Sequence, residues 1–308
     1  MPNLLRPIRP ALLLGALLAT SLGPGCASSG RNQVDRGDLP EDFVPLPIEK
    51  SEVALLMLEL DKTIKSWQQG VNENNETRRL QMESILRTET NDSFDEVVEA
   101  LEAAAPGIRQ TAAAALGFSG RTEAISPLSN ALGDPDPKVV SNALVGLGQL
   151  ADPGSPLSTI SFHLRSSSNE LIRNNAAFAL GRILVAGAEP NSDVLEACRQ
   201  GLYDSFAGVR SQCASVLGHL RDSEAVPDLS TLLVDDEDLA AKPAILALGE
   251  IARGDPRQLG EVARALADGM GRTKRTRKSW IRAELIRLSE RDYENDLNAW
   301  REWAYSLP

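Results

Sequence analysis

Few side chains of this 308-residue chain could carry out chemistry, since it contains only two histidines and three cysteines. His163 and His219 lie far apart in sequence, and we interpret both as core or surface residues rather than as a catalytic base or a metal ligand. The chain has no Gly-x-Ser-x-Gly elbow, phosphate-binding loop, dinucleotide fingerprint or His-Glu-x-x-His motif. The sequence therefore predicts no enzyme activity, no cofactor and no metal site.

Two other groups of residues invite a chemical interpretation. Residues 235–238 are four consecutive acids, which lack the alternating spacing of a calcium-binding loop, so we expect a turn there. Cys198 and Cys213 match apolar positions of two neighbouring predicted helices. A disulfide between them would suit an oxidising compartment, but two small buried thiols are the favoured interpretation.

The amino-acid composition restricts the fold class and the kind of partner that this protein can have. The chain has 42% hydrophobic residues but only 4% aromatic ones, which excludes wholesale disorder and favours closely packed helices rich in Ala and Leu. Its 32 basic and 43 acidic residues give a net charge of −11. A general nucleic-acid-binding protein needs a basic face, so we expect no nucleic-acid partner.

Most of the chain repeats one pattern that begins with an aliphatic residue. A small residue lies four positions after it, and a Leu-Gly pair begins eight positions after it. The copies begin at Ile108, Val139, Ile172, Val209 and Ala240. The apolar positions share one face of an α-helix, and the small residue lets neighbouring helices approach closely. Each Gly is expected to admit a neighbouring backbone. A shorter helix is predicted before each copy, with Ser126-Pro127 and Ser155-Pro156 as starts, so the repeating unit is a helix pair.

These copies resemble HEAT repeats, and most closely the short subtype found in bilin lyases of phycobilisomes. The Asp-Pro-Asp-Pro-x-Val element at 134–139 and the Val/Ile-Arg and Leu-Gly elements of the copies carry the resemblance, which covers residues 93–270. It implies an all-α fold, a right-handed α-solenoid of stacked helix pairs with helical caps at both ends.

The segments that flank the repeats are predicted to be the caps. Residues 51–92 form the N-terminal cap, with amphipathic helices expected over 50–69 and 74–89. Residues 271–308 hold a basic segment, a divergent last repeat and a C-terminal cap that contains Trp300 and Trp303. The tryptophans are expected to fill the last groove, with an exposed aromatic docking peptide as the alternative.

The first 26 residues have the features of an export signal, because two arginines precede an apolar stretch at 11–22 that is too short to span a bilayer. Gly25-Cys26 resembles the cleavage site of bacterial lipoproteins, although Gly23 stands where that pattern prefers Leu. The resemblance implies a signal peptide at 1–25, a lipid on Cys26 and a disordered tether at 26–50. It places the protein in the bacterial cell envelope, at the outer membrane facing the periplasm. Ordinary secretion and an uncleaved anchor are the alternatives.

Arg109, Arg173 and Arg210 occupy the same position in three copies, directly after the aliphatic residue. Stacked units would align these arginines. They would form either a structural ladder with acids of neighbouring units or a row that binds an anionic partner on the concave surface made by the second helices.

The stretch 272–287 carries seven basic residues and one acid. Arg275, Arg277 and Lys278 are candidates for contact with an acidic partner or with anionic lipid headgroups. A solvated loop that leads into the last repeat is the alternative.

The resulting hypothesis is a membrane-tethered, extracytoplasmic scaffold that binds a protein partner and catalyses no reaction. A fold of this kind hosts many roles, so two alternatives remain open. The first is a bilin-lyase-like activity or another role as an enzyme accessory, which the resemblance to the lyase subtype suggests. The second is a structural envelope spacer that associates with itself.

Overall fold

A computed structural model describes residues 52–308, and they fold into an all-α solenoid. The predicted signal peptide, Cys26 and the predicted tether lie outside the described residues. Between residues 52 and 308 there is no β-strand, and no helix combines the length and apolar character that crossing a bilayer requires. The all-α solenoid expected from the repeats is therefore confirmed.

Fifteen helices follow one another along the described residues. They are α1 (Glu52–Asn72), α2 (Glu76–Asp92), α3 (Phe94–Glu99), α4 (Pro106–Leu116), α5 (Ile125–Ala131), α6 (Pro137–Leu150), α7 (Leu157–Ser166), α8 (Glu170–Val185), α9 (Ser192–Gly201), α10 (Ala207–His219), α11 (Val226–Thr231), α12 (Asp238–Gly254), α13 (Leu259–Arg272), α14 (Arg275–Ser289) and α15 (Leu297–Ser306). Short 3₁₀ turns extend α3, α5, α11 and α13.

The second helices of successive pairs form one continuous row. Each of α4, α6, α8, α10 and α12 packs against the next, and α12 packs against α14. Their alanine-rich sequences leave little exposed surface, and residues 111–119 at the end of α4 are all buried. The first helices of the pairs, such as α7 and α9, pack side by side on the other layer. The core is the extended region of contact between these two layers of helices.

Glycines bring the backbones of neighbouring second helices into contact. A methyl group added to Gly117 would lie 2.5 Å from the Cα of Gly146, and one added to Gly218 would lie 2.6 Å from the Cα of Ala247. Such distances are shorter than real side chains allow, so glycine is required where α4 meets α6 and where α10 meets α12. Gly181 is different, because an added methyl group would meet only Val216 Cγ2, at 3.4 Å.

Side-chain caps fix the starts of two of the second helices, α6 and α8. Asp136 Oδ1 accepts a 2.8 Å hydrogen bond from the Lys138 N–H, and Asn169 Oδ1 accepts one of 2.9 Å from the Leu171 N–H. The predicted serine caps of the first helices are wrong. Helix α5 begins one residue before Ser126, after a 3₁₀ turn, and the Ser155 hydroxyl has no hydrogen-bond partner among the described residues. At α5 the 3₁₀ turn supplies the backbone hydrogen bonds that a cap would otherwise provide, whereas α7 begins after Pro156, which makes no side-chain cap hydrogen bond.

Aromatic side chains close both ends of the described array. Trp67 of α1 is buried against Phe118, with ring centroids 5.2 Å apart, and its indole donates to Glu83 of α2. At the other end α15 packs on α13, and Trp300 is fully buried between Tyr293 and Trp303. These rings cover apolar surface that would otherwise lack a neighbouring repeat.

Candidate partner-binding site

Arg109, Arg173 and Arg210 each form a bidentate ion pair with an aspartate in the loop of the following unit. Their Nε atoms lie 2.7, 2.6 and 2.8 Å from Asp134, Asp204 and Asp235, respectively. The remaining guanidinium nitrogen donates to carbonyl oxygens of the arginine's own loop, as Arg173 does to Ser167 O at 3.0 Å. Each arginine therefore joins the loops of two consecutive units.

The aspartates of these clamps also organise their own loops. Asp204 Oδ1 accepts a 2.8 Å hydrogen bond from the Phe206 N–H, and Asp134 Oδ1 accepts one of 2.8 Å from the Asp136 N–H. The hydrogen bonds from Arg109 hold the pKa of Asp134 below its ordinary value. Burial by itself would raise the pKa of Asp204, but the hydrogen bonds from Arg173 and Phe206 bring it below the ordinary value. Both carboxylates are thus charged at neutral pH.

Arg277 is the only one of the six predicted basic site residues that is buried, with 2% of its surface exposed. Its Nε donates to Asp238 at 2.5 Å, and its Nη1 donates to the backbone oxygen of Asp235. It therefore contacts the same loop that Arg210 clamps. Arg275 and Lys278 are exposed, and neither has a carboxylate within ion-pair distance among residues 52–308.

A ladder of hydrogen bonds from asparagine side chains connects α4, α6 and α8. Asn142 Nδ2 donates to Gln110 O of the preceding helix at 2.9 Å, and Asn175 Nδ2 donates to Ser141 Oγ at 2.8 Å. Asn175 and Ser141 are 3% and 6% exposed. Sequence reasoning missed this ladder, although polar residues recur at the third and fourth positions of four copies. These contacts fix the register of the stacked helices, since an unpaired buried amide would be costly.

A buried carboxylate lies at the end of the array. Glu284 of α14 has no exposed surface and accepts hydrogen bonds from Arg253 of α12 and, at 2.7 Å, from Arg287. Its carboxylate fills the space beside Gly249. Glu284 is the single acid of the basic stretch at 272–287, and no local pattern predicts that it lies in the core.

The cysteines and histidines do not form a reactive cluster. Cys198 of α9 and Cys213 of α10 are free thiols without exposed surface, as the sequence favoured. A hydrogen bond with Cys198, together with burial, raises the pKa of Cys213 well above its ordinary value. Burial lowers the pKa of His163, which lies in α7, while His219 is exposed at the end of α10. No group of three or more metal-ligating side chains is assembled within the described part of the chain.

The repeating geometry agrees with a family profile. The profile of HEAT repeats matches residues 72–145, 94–181, 157–249 and 195–286, and these matches together cover more than half of the chain. The chain belongs to the HEAT-repeat family. The matched region of this HEAT-repeat protein extends beyond residues 93–270 on both sides, so it takes in α2 and most of α14.

Several solved structures are similar to this HEAT-repeat protein. A designed armadillo repeat protein is 18% identical, with 69% of this chain and 98% of that chain covered and a TM-score of 0.46. The CpcE–CpcF complex of phycocyanin lyase from Nostoc sp. PCC7120 is 17% identical, with 87% and 98% covered and a TM-score of 0.41. Human deoxyhypusine hydroxylase in complex with glycerol is 19% identical, with 77% and 98% covered and a TM-score of 0.35. No curated protein matches the chain.

The predicted site residues thus fall into two groups in this HEAT-repeat protein. Arg109, Arg173, Arg210 and Arg277 lie between units and bind carboxylates or carbonyls of neighbouring loops. Arg275 and Lys278 lie on the surface at the start of α14. The structure therefore does not bring the six residues together into one surface.

Proposed function

We propose that this HEAT-repeat protein is a membrane-tethered, extracytoplasmic scaffold that binds a protein partner and has no catalytic role. The observation that carries the proposal is the mutual locking of the second helices by backbone contacts, amides and arginine clamps. Such locking holds an extended surface in one shape before a partner arrives, which reduces the entropy lost on binding.

Contact with the partner is assigned to the exposed cations at the start of α14. Arg275 and Lys278 occupy the first turn of this helix, where the positive end of the helix dipole disfavours cations. They gain no compensating ion pair from the described residues. The stability of α14 therefore does not explain why cations stand at these two positions. An acidic patch on a partner would explain them, because it would supply the missing ion pairs. The four arginines that lie between units, namely Arg109, Arg173, Arg210 and Arg277, are assigned to stabilising the stack of helix pairs.

The cellular address rests on the N-terminal sequence. Cys26 is proposed to carry the lipid after removal of residues 1–25, with the array held in the bacterial envelope at the outer membrane and facing the periplasm. Mass spectrometry of the protein extracted from its host's membranes tests this assignment. We expect an acylated N-terminal Cys26, and a soluble protein without acyl groups from the Cys26→Ser variant. An unmodified wild-type protein in the soluble fraction would contradict the proposed envelope location but not the proposed binding of a protein partner.

Crosslinking in intact cells followed by affinity capture tests the scaffold. Wild-type protein is expected to capture a defined partner, and the double variant Arg275→Glu/Lys278→Glu is expected to capture much less of it. The matched control is Lys62→Glu/Lys138→Glu, which makes the same change of charge at exposed lysines elsewhere. Equal capture by all three proteins would exclude the α14 surface, and no specific capture by the wild type would contradict the scaffold.

A further inference from the structure

A positively charged cavity lies at the opposite end of the array from α14. It has a volume of about 400 Å³ and is formed between α2 and the C-terminal ends of α4, α6 and α8. Arg79, Arg87 and Arg182 line it together with a single acid, Glu83. The lining residues thus carry three positive charges and one negative charge in a chain whose net charge is −11.

The one acid that lines this cavity, Glu83, already accepts hydrogen bonds from two other side chains. Glu83 Oε1 accepts a 2.6 Å hydrogen bond from Arg79 and one of 3.0 Å from the Trp67 indole. Trp67 is buried, so Glu83 serves to hold α2 against α1. Glu83 therefore neutralises Arg79, and no carboxylate of the described residues pairs with the other two arginines.

Arg87 and Arg182 have most of their hydrogen-bonding capacity unused. No ion pair or hydrogen bond joins the Arg87 guanidinium to any other residue of the 52–308 region, and this guanidinium lies beside Gly120. Arg182 donates one long hydrogen bond, from Nε to Gly148 O at 3.4 Å, and forms no ion pair with a described residue. Since a guanidinium offers five N–H donors, this cavity presents several that have no acceptor.

A third donor points to the same kind of ligand. Gln149, at the end of α6, lines the cavity, and its Nε2 is out of contact with solvent and has no acceptor among the described residues. Buried amide donors are nearly always paired in folded proteins. A ligand with acceptor oxygens would supply the missing partner.

We propose that this cavity binds carboxylate side chains of an acidic segment of the protein partner. Arg87 and Arg182 would form forked hydrogen bonds to carboxylate oxygens, and Gln149 would donate a third. An acidic segment of protein is the occupant because the cavity presents two arginines that no carboxylate of the described residues pairs with, and the proposed function is the binding of a protein. The proposal rests on the proposed scaffold function and adds the chemistry of the segment that is recognised.

Fluorescence anisotropy with the full mature chain tests the cavity directly. The probe is a labelled Gly-Asp-Glu-Asp-Glu-Gly peptide, and its counterpart has Asn and Gln in place of the acids. The wild type is expected to bind the acidic peptide and not the amide peptide. Arg87→Gln/Arg182→Gln is expected to weaken binding by at least about tenfold, because charged hydrogen bonds are lost. Gln149→Ala is expected to weaken it by a smaller factor.

Arg272→Gln is the matched control, since it removes one exposed positive charge at the distant end of α13. It should leave the affinity unchanged, and circular dichroism should show that every variant keeps the wild-type helix content and melting temperature. Inorganic phosphate should compete only weakly. No binding of the acidic peptide, an equal loss with Arg272→Gln, or complete displacement by phosphate at a concentration equal to that of the peptide would overturn the proposal.

The outcome is separable from that of the scaffold test. If wild-type protein captures a partner in cells and Arg87→Gln/Arg182→Gln captures it equally well, the cavity proposal fails and the scaffold stands. If the acidic peptide binds through Arg87 and Arg182 but no protein is captured, the scaffold fails while the cavity still binds carboxylates.

Discussion

The carboxylate of Glu284 occupies the space that a side chain at position 249 would need, so Gly249 and Glu284 depend on each other. The glycine lies in α12 and the glutamate in α14, and Arg253 and Arg287 neutralise the buried charge. The same position of the repeat thus serves different purposes along the array. It admits backbone at Gly117 and Gly218 and a charged side chain at Gly249.

Gly249→Ala is expected to destabilise the fold by about 2 kcal/mol or more, because the methyl group displaces a buried, paired carboxylate. The matched control is Gly181→Ala. There the added methyl group meets only one atom at 3.4 Å, and alanine favours the helix by up to about 1 kcal/mol. Urea unfolding of both variants checks the contrast. Equal free energies of unfolding for the two variants would contradict the assigned role of Gly249.

The clamp between Arg173 and Asp204 predicts a pH-dependent loss of stability. Asp204→Asn should lower the free energy of unfolding by about 2 kcal/mol at neutral pH, since the charged hydrogen bonds to Arg173 are lost. The pKa of Asp204 is lowered in the folded state, so its contribution is present above the unfolded value of about 4 and is lost as the pH falls through the folded value.

Urea unfolding of wild type and Asp204→Asn at neutral pH and at about pH 3 measures this dependence. The difference in stability between the two proteins should shrink at the lower pH. A double-mutant cycle with Arg173→Gln should show that the two changes are coupled. A difference that stays constant with pH would show that the carboxylate charge of Asp204 contributes nothing.

The amide ladder predicts a cost for removing one buried asparagine. Asn175→Ala should destabilise the array by about 1–3 kcal/mol, because Ser141 loses its partner in a buried site. Asn298→Ala removes an exposed asparagine in α15 and should change stability by less than about 0.5 kcal/mol. Thermal or urea unfolding of the two variants measures the difference between their free energies of unfolding. A neutral Asn175→Ala variant would mean that the ladder does not stabilise the stack.

The buried thiols predict slow chemical modification. In a Cys26→Ser background, the native protein should react with a thiol-specific aromatic disulfide reagent far more slowly than the unfolded protein, which should expose two thiols. Burial and the raised pKa of Cys213 both suppress the reactive thiolate. Rapid reaction of one thiol in the native state would show that the contact between α9 and α10 opens readily.

The sequence predicted the fold well because the signals of a helical repeat are local. The spacing of aliphatic, small and Leu-Gly positions recurs at every unit, and each recurrence by itself specifies an amphipathic helix. The first two helices, expected over 50–69 and 74–89, are observed at Glu52–Asn72 and Glu76–Asp92. The serine caps were wrong because the residues just before a short first helix set its start, a 3₁₀ turn before α5 and Pro156 at the N-cap of α7.

The sequence alone determined that this protein is a stacked array of helix pairs, because periodicity and small residues are properties of neighbours along the chain. Only the tertiary structure decided which charges are free. Arg277 and Arg275 are two residues apart, yet one is buried against the 235–238 loop and the other is exposed. Arg87 and Arg182 are far apart in sequence but line one cavity. Ion pairing depends on distances across units, and stacking sets those distances.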